Sequence, residues 1–206
     1  MLLNDYLTVK ENGKSEINIE KSVFIASCKR VETAEQARKF INSVKKEYSD
    51  ATHNCYCYKL KDGTTKFSDD GEPSSTAGLP ILNAIESSKL LDVAVVVTRY
   101  FGGIKLGTGG LVRAYFSSAK SCLEKCGICK MTLSDVYVLE LDYVSFSNLN
   151  SFFSSGEISV LNKEFSSSVI VTFACEKNKN VTEQISSIIN KKPSISLLKE
   201  CFVEYK

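Results

Sequence analysis

The chain has 206 residues, 43% of them apolar, and a formal net charge of +2. That length suits one large domain or two small ones, with enough apolar mass for a core, and the near-neutral balance excludes the broad basic field of a dedicated nucleic-acid binder. No stretch approaches the roughly 20 apolar residues that cross a bilayer, so the expectation is a cytoplasmic protein with no membrane partner.

Residues 16–28 alternate loosely through Ile17, Ile19, Val23 and Ile25 and read as one or two strands. Thr33 with Gln36 forms a capping box, and Ala34, Ala37, Phe40, Ile41 and Val44 give one helical face ending near Tyr48. Residues 53–60 read as a strand, and Asp62-Gly63 as a hairpin turn into a short strand around Thr65. Residues 76–88 can form a helix with Pro80 in its first turn. Residues 93–98 read as a buried strand, and residues 109–126 as a helix that Gly127 caps.

The pattern then restarts. A strand at 133–142, a short helix carrying Phe146, Leu149 and Phe153, strands at 158–160 and 169–173, a helix at 181–189 and a final strand at 195–205 follow in order. Strand, helix, strand, strand, helix, strand is the ferredoxin-like split βαβ unit. The predicted domains are residues 1–128 and 131–206.

Residues 67–115 carry the densest chemistry. An acidic turn, Asp69-Asp70-Gly71-Glu72-Pro73-Ser74-Ser75-Thr76-Ala77-Gly78, precedes the buried strand. Arg99-Tyr100-Phe101-Gly102-Gly103-Ile104-Lys105-Leu106-Gly107-Thr108-Gly109-Gly110, with Arg113, leads into the helix. Free amides at a helix start, beside Arg99, Lys105 and Arg113, suit an anion such as a phosphate. The competing reading is a tight connection whose glycines supply positive φ and close packing. The run lacks the Gly-Lys-Ser/Thr ending of a Walker loop and the last glycine of a dinucleotide fingerprint.

These residues together closely resemble the YigZ/IMPACT family. The likeness rests on Ser68 to Ser74 with Thr76-Ala77-Gly78 and Pro80-Ile81-Leu82, on Val96 to Gly103, and on Leu106 to Leu111 with Arg113-Ala114-Tyr115; Asp50-Ala51 and His53 fit just upstream. The resemblance spans roughly residues 15–203 and is to the bacterial two-domain type, without the RWD domain of eukaryotic members. It implies an α+β fold: an N-terminal ribosomal-protein-like domain, similar to domain four of elongation factor G and to GHMP kinases, then a C-terminal ferredoxin-like domain. It also implies a link to translational control, in which eukaryotic members act. Ser75 stands where the family often has glycine, and Asn54 and Tyr56 where it more usually has histidine and tryptophan.

The remaining candidates divide between chemistry and packing. Asp69, Asp70 and Glu72 can bind a divalent ion, pair with Arg99 and Arg113, or form a solvated turn; the last two are favoured, so no metal and no cofactor are expected. His53, Cys55 and Cys57 face one side of a strand, but three such ligands span roughly 13 Å, too far to converge on zinc. The eight cysteines, scattered through apolar segments, read as reduced thiols. Tyr56, Tyr58, Tyr100, Phe101 and Tyr115 can stack RNA bases, although Phe101 and Tyr115 read better as core.

The reading is a non-enzymatic, translation-related protein binding a phosphate-bearing partner, RNA or a ribosome-associated protein, with no DNA preference. Arg99, Gly102, Gly103, Lys105, Gly107, Gly109, Gly110 and Arg113 would hold the anion. His53, Asp69, Asp70, Glu72, Thr76 and Tyr100 would line the cleft. An enzyme acting on a small phosphorylated metabolite or nucleotide, and a protein-interaction module, stay open as alternatives.

Overall fold

The computed structural model describes residues 4–177 and 179–205. Antiparallel sheets and helices make it an α+β protein, with two compact units. Tyr6–Cys129 forms the first, and the second runs from Lys130 and includes Asn4 and Asp5.

In the first unit, β1 (Asp5–Val9) precedes β2 (Gly13–Ile19) and β3 (Ser22–Arg30). No periodicity announced β1, whose Leu7 carbonyl accepts from Leu91 N–H at 2.9 Å. Helix α1 (Ala34–Glu47) starts as its capping box predicts, with Gln36 N–H donating to Thr33 Oγ1 at 3.2 Å. Strands β4 (His53–Lys59) and β5 (Thr65–Ser68), helix α2 (Gly78–Ser87), β6 (Val93–Tyr100) and α3 (Gly107–Cys126) complete the unit. The sheet order is β2-β3-β6-β4-β5, every neighbouring pair antiparallel.

Strand β6 is apolar from Val93 to Val97 because that stretch is covered on both faces. Val93, Val95 and Val97 pack into the core that holds Ile81, Ile85, Leu111 and Tyr115 from α2 and α3. Ala94 and Val96 face Ile41 and Val44 of α1 on the other side. Side chains alternate along a strand, so Arg99 shares the face of Val95 and Val97. The register places His53 opposite Arg99, Cys55 opposite Val97 and Cys57 opposite Val95. Thus one sheet face carries His53 and Arg99 at its end and cysteines deeper in.

The second unit runs β7 (Ile128–Leu141), α4 (Tyr143–Asn148), α5 (Asn150–Phe153), β8 (Ile158–Phe165), β9 (Val169–Glu176), α6 (Val181–Ile189) and β10 (Ser194–Glu204). Within this unit β10 pairs β7, β7 pairs β9 and β9 pairs β8, each pair antiparallel. The one helix anticipated around Phe146 is two short ones meeting at Leu149. Asp142 caps the first by accepting from Ser145 N–H at 2.7 Å. Leu139, Val171, Phe173 and Ile185 anchor this unit's core.

Candidate functional site

A cleft of about 390 Å³ opens in the first unit where β4, β6 and the start of α3 meet. Thr52, His53, Glu72, Pro73, Arg99, Phe101, Lys105, Leu106, Gly107, Thr108 and Leu111 line it.

Its floor is an ion-pair network. Arg99 Nη1 donates to Glu72 Oε1 at 2.7 Å, with only 6% and 3% of the two side chains exposed. Tyr115 O–H donates to the same oxygen at 2.7 Å, and burial above all pushes that phenol's pKa up. Among the described residues, both hydrogen bonds to this carboxylate fall on Oε1. The guanidinium lies between Phe24 and Phe101, 5.4 Å from each ring centroid. Arg99 Nε is buried with no partner.

His53 completes the wall. Its Nδ1 lies 2.9 Å from the Asp70 carbonyl oxygen, which can only accept, so Nδ1 carries the proton in the neutral ring. Nε2 is left 3.9 Å from Glu72 Oε1. Cys55, behind it, donates to the Asp69 carbonyl at 2.9 Å and is pushed up to about 12, chiefly by burial, so it is a thiol rather than a thiolate at neutral pH.

The opposite wall is the start of α3. The helix has no side-chain cap, and the N–H groups of its first residues, Gly107, Thr108 and Gly109, have no intrahelical acceptor. Gly107 has φ +69°, open to glycine at little cost. Lys105 and Phe101, the latter 47% exposed, line the same cleft.

Asp69 and Asp70 of the acidic turn serve the fold. Asp69 Oδ1 accepts from Ala77 and Gly78 N–H at 3.0 and 2.8 Å, capping α2, while Oδ2 accepts from Ser75 N–H at 2.8 Å. Asp70 accepts from Asn54 N–H at 2.7 Å and from Lys45 Nζ at 2.5 Å. Thr76 is buried and donates to the Pro73 carbonyl at 2.6 Å. Among the described residues no group of His, Cys, Asp and Glu gathers to hold a metal.

The anticipated anion residues divide. Lys105 and Gly107 line the cleft, with Gly109 in the same helical turn. Arg99 is turned inward and paired, so its charge is already balanced by Glu72. Gly102 is a packing residue: a Cβ there would lie 2.0 Å from the Lys21 carbonyl, and its N–H donates to Ser22 Oγ at 3.2 Å. Gly103, φ +84°, is a turn residue with open space around it. Gly110 and Arg113 line a separate depression of about 400 Å³ with Ile19, Glu20 and Lys105. Tyr100 O–H donates to Asp50 at 2.8 Å, outside the cleft. Phe101, read as core, is an exposed cleft residue, whereas Tyr115 is core and also part of the network. Thr52 carried no signal, whereas Leu111 falls in the family's motif; Thr52 Oγ1 accepts from Phe101 N–H at 3.0 Å and sets that ring's backbone.

Residues 20–123 match the Impact N-terminal domain family, and the match contains every element of the cleft. The chain belongs to the YigZ/IMPACT family. It is 39% identical over 198 residues to "IMPACT family member YvyE" of Bacillus subtilis, covering 94% of this chain and 91% of that protein. Against "IMPACT family member YigZ" of Escherichia coli the identity is 33% over 160 residues, covering 76% of this chain and 78% of the other. A solved structure titled "Crystal structure of an hypothetical protein" superposes with a TM-score of 0.64 at 27% identity, covering 96% of this family member and 99% of that chain. The backbone of Ser75 is left-handed, φ +63°, a conformation that glycine adopts at less cost. Asn54 is absorbed internally, accepting from Thr98 Oγ1 at 2.7 Å and donating to the Tyr48 carbonyl at 3.2 Å.

Proposed function

We propose that this protein binds a phosphate-bearing partner at the start of α3, that the partner is RNA, and that binding serves translation or its regulation. The observation that carries this reading is the uncapped end of a 20-residue helix opening, beside Lys105, into the same cleft as the exposed ring of Phe101. Unpaired N–H groups and the helix dipole attract an anion, and an aromatic face beside a cation suits an unstacked base. The link to translation comes from the family. The ferredoxin-like likeness of the second unit belongs to the same proposal and draws support from its pairings of β10 with β7, β7 with β9 and β9 with β8.

Fluorescence anisotropy with labelled single-stranded RNA at several salt concentrations tests the reading. Binding that weakens linearly in log–log form as salt rises is the expected result. No binding at low salt removes RNA.

A further inference from the structure

We propose that the cleft accepts a single ribonucleotide unit, with phosphate at the start of α3, base on Phe101, and ribose 2′-hydroxyl donating to Glu72 Oε2. This rests on the RNA-binding reading above and adds a residue that distinguishes ribose from deoxyribose.

The cleft holds two kinds of group. The free N–H groups of α3 and Lys105 call for negative charge. Glu72, its side chain only 3% exposed, offers a buried acceptor. A second anion at Glu72 would be repelled, so the part of the ligand that reaches it has to donate a hydrogen bond. Arg99 and Tyr115 both take Oε1, which leaves Oε2 as the acceptor on offer. Arg99 holds one face of Phe101, pre-orienting the ring for a partner on the other. A nucleotide joins phosphate to flat ring through its sugar, and the sugar is the part that carries hydroxyl donors for Glu72. About 390 Å³ is at the small end of ligand sites and matches one nucleotide rather than a duplex. The 2′-hydroxyl is the group by which proteins tell RNA from DNA.

The test varies the ligand, because a Glu72 variant strands a buried arginine and can unfold. The intact protein is titrated with a short ribo-oligonucleotide, its deoxy counterpart and its 2′-fluoro counterpart, which keeps the ribose pucker without the donor. A parallel arm uses AMP and dAMP, to separate a free nucleotide from a unit within a strand. The expected result, in one arm or both, is ribo binding about tenfold or more tighter than deoxy, since a hydrogen bond to a charged acceptor is lost. The 2′-fluoro strand should bind like deoxy. Salt-dependent binding with equal ribo and deoxy affinity, or 2′-fluoro binding like ribo, overturns this inference and leaves RNA binding standing. Binding by no oligonucleotide and no nucleotide overturns both.

Discussion

Arg99 and Glu72 meet across 27 residues of sequence, guanidinium to carboxylate at 2.7 Å, with only 6% and 3% of their side chains exposed, at the floor of the cleft. A charge pair this buried is costly to break from one side only. Glu72→Ala is expected to destabilise by about 3–5 kcal/mol, because the arginine is left uncompensated. The double variant Arg99→Met, Glu72→Leu should recover much of that loss. Urea midpoints of the three proteins check it; a single variant as stable as the parent would disprove the burial of the pair.

Two backbone positions give opposite outcomes. Ser75 has φ +63°, which an L-residue adopts at a cost, so Ser75→Gly should stabilise by about 0.5–1 kcal/mol after the extra freedom of the unfolded glycine is counted. Gly102→Ala drives a methyl to 2.0 Å from the Lys21 carbonyl and should cost about 3 kcal/mol or more, read as a lowered thermal midpoint.

Asp70 makes stability fall in acid. Burial raises its pKa, but Lys45 and the Asn54 N–H outweigh that and hold it below the usual carboxylate value. A depressed folded pKa means the stabilisation is present above the unfolded value, about 3.9, and is lost as pH falls through the folded one. Asp70→Asn should therefore cost about 1 kcal/mol at neutral pH and progressively less towards strong acid. Parallel unfolding curves across that range check the convergence; a constant gap would assign the effect to packing.

Lys105 and Arg113 should differ in their effect on RNA binding. Lys105 lines both depressions and Arg113 only the one without His53 and Glu72. Lys105→Glu is expected to weaken RNA and reduce the salt slope by about 1, with Arg113→Glu affecting it less. Equal effects would shift the anion to the Arg113 side.

Phe101→Ala should weaken RNA binding by about 1–3 kcal/mol if a base stacks there, while its exposure keeps the cost in stability small. Anisotropy and thermal midpoints on the same preparation separate the two effects.

Much of the fold was legible in local pattern. The capping box at Thr33, the alternation in β9 and the apolar face of α6 each answer to a period of 2 or 3.6, set by neighbours in sequence. The break between α4 and α5 was hidden because Phe146, Leu149 and Phe153 keep helical spacing across it. Strand β1 was hidden because five residues are too few for a period to declare itself.

The residues that line the cleft, Thr52 apart, fall at His53 or between positions 67 and 115, where glycines, cations and acids cluster and carry the family's motif. Their roles were decided in three dimensions. Residue type says that Arg99, Lys105 and Arg113 are cations, but the register of β4 on β6 turns Arg99 inward to Glu72, and the turn of α3 carries Arg113 round to another depression. The same register puts Cys55 and Cys57 opposite Val97 and Val95, where apolar packing claims them. Periodicity is a property of adjacent residues; whether a charge meets water or a partner depends on which distant strand and turn arrive beside it.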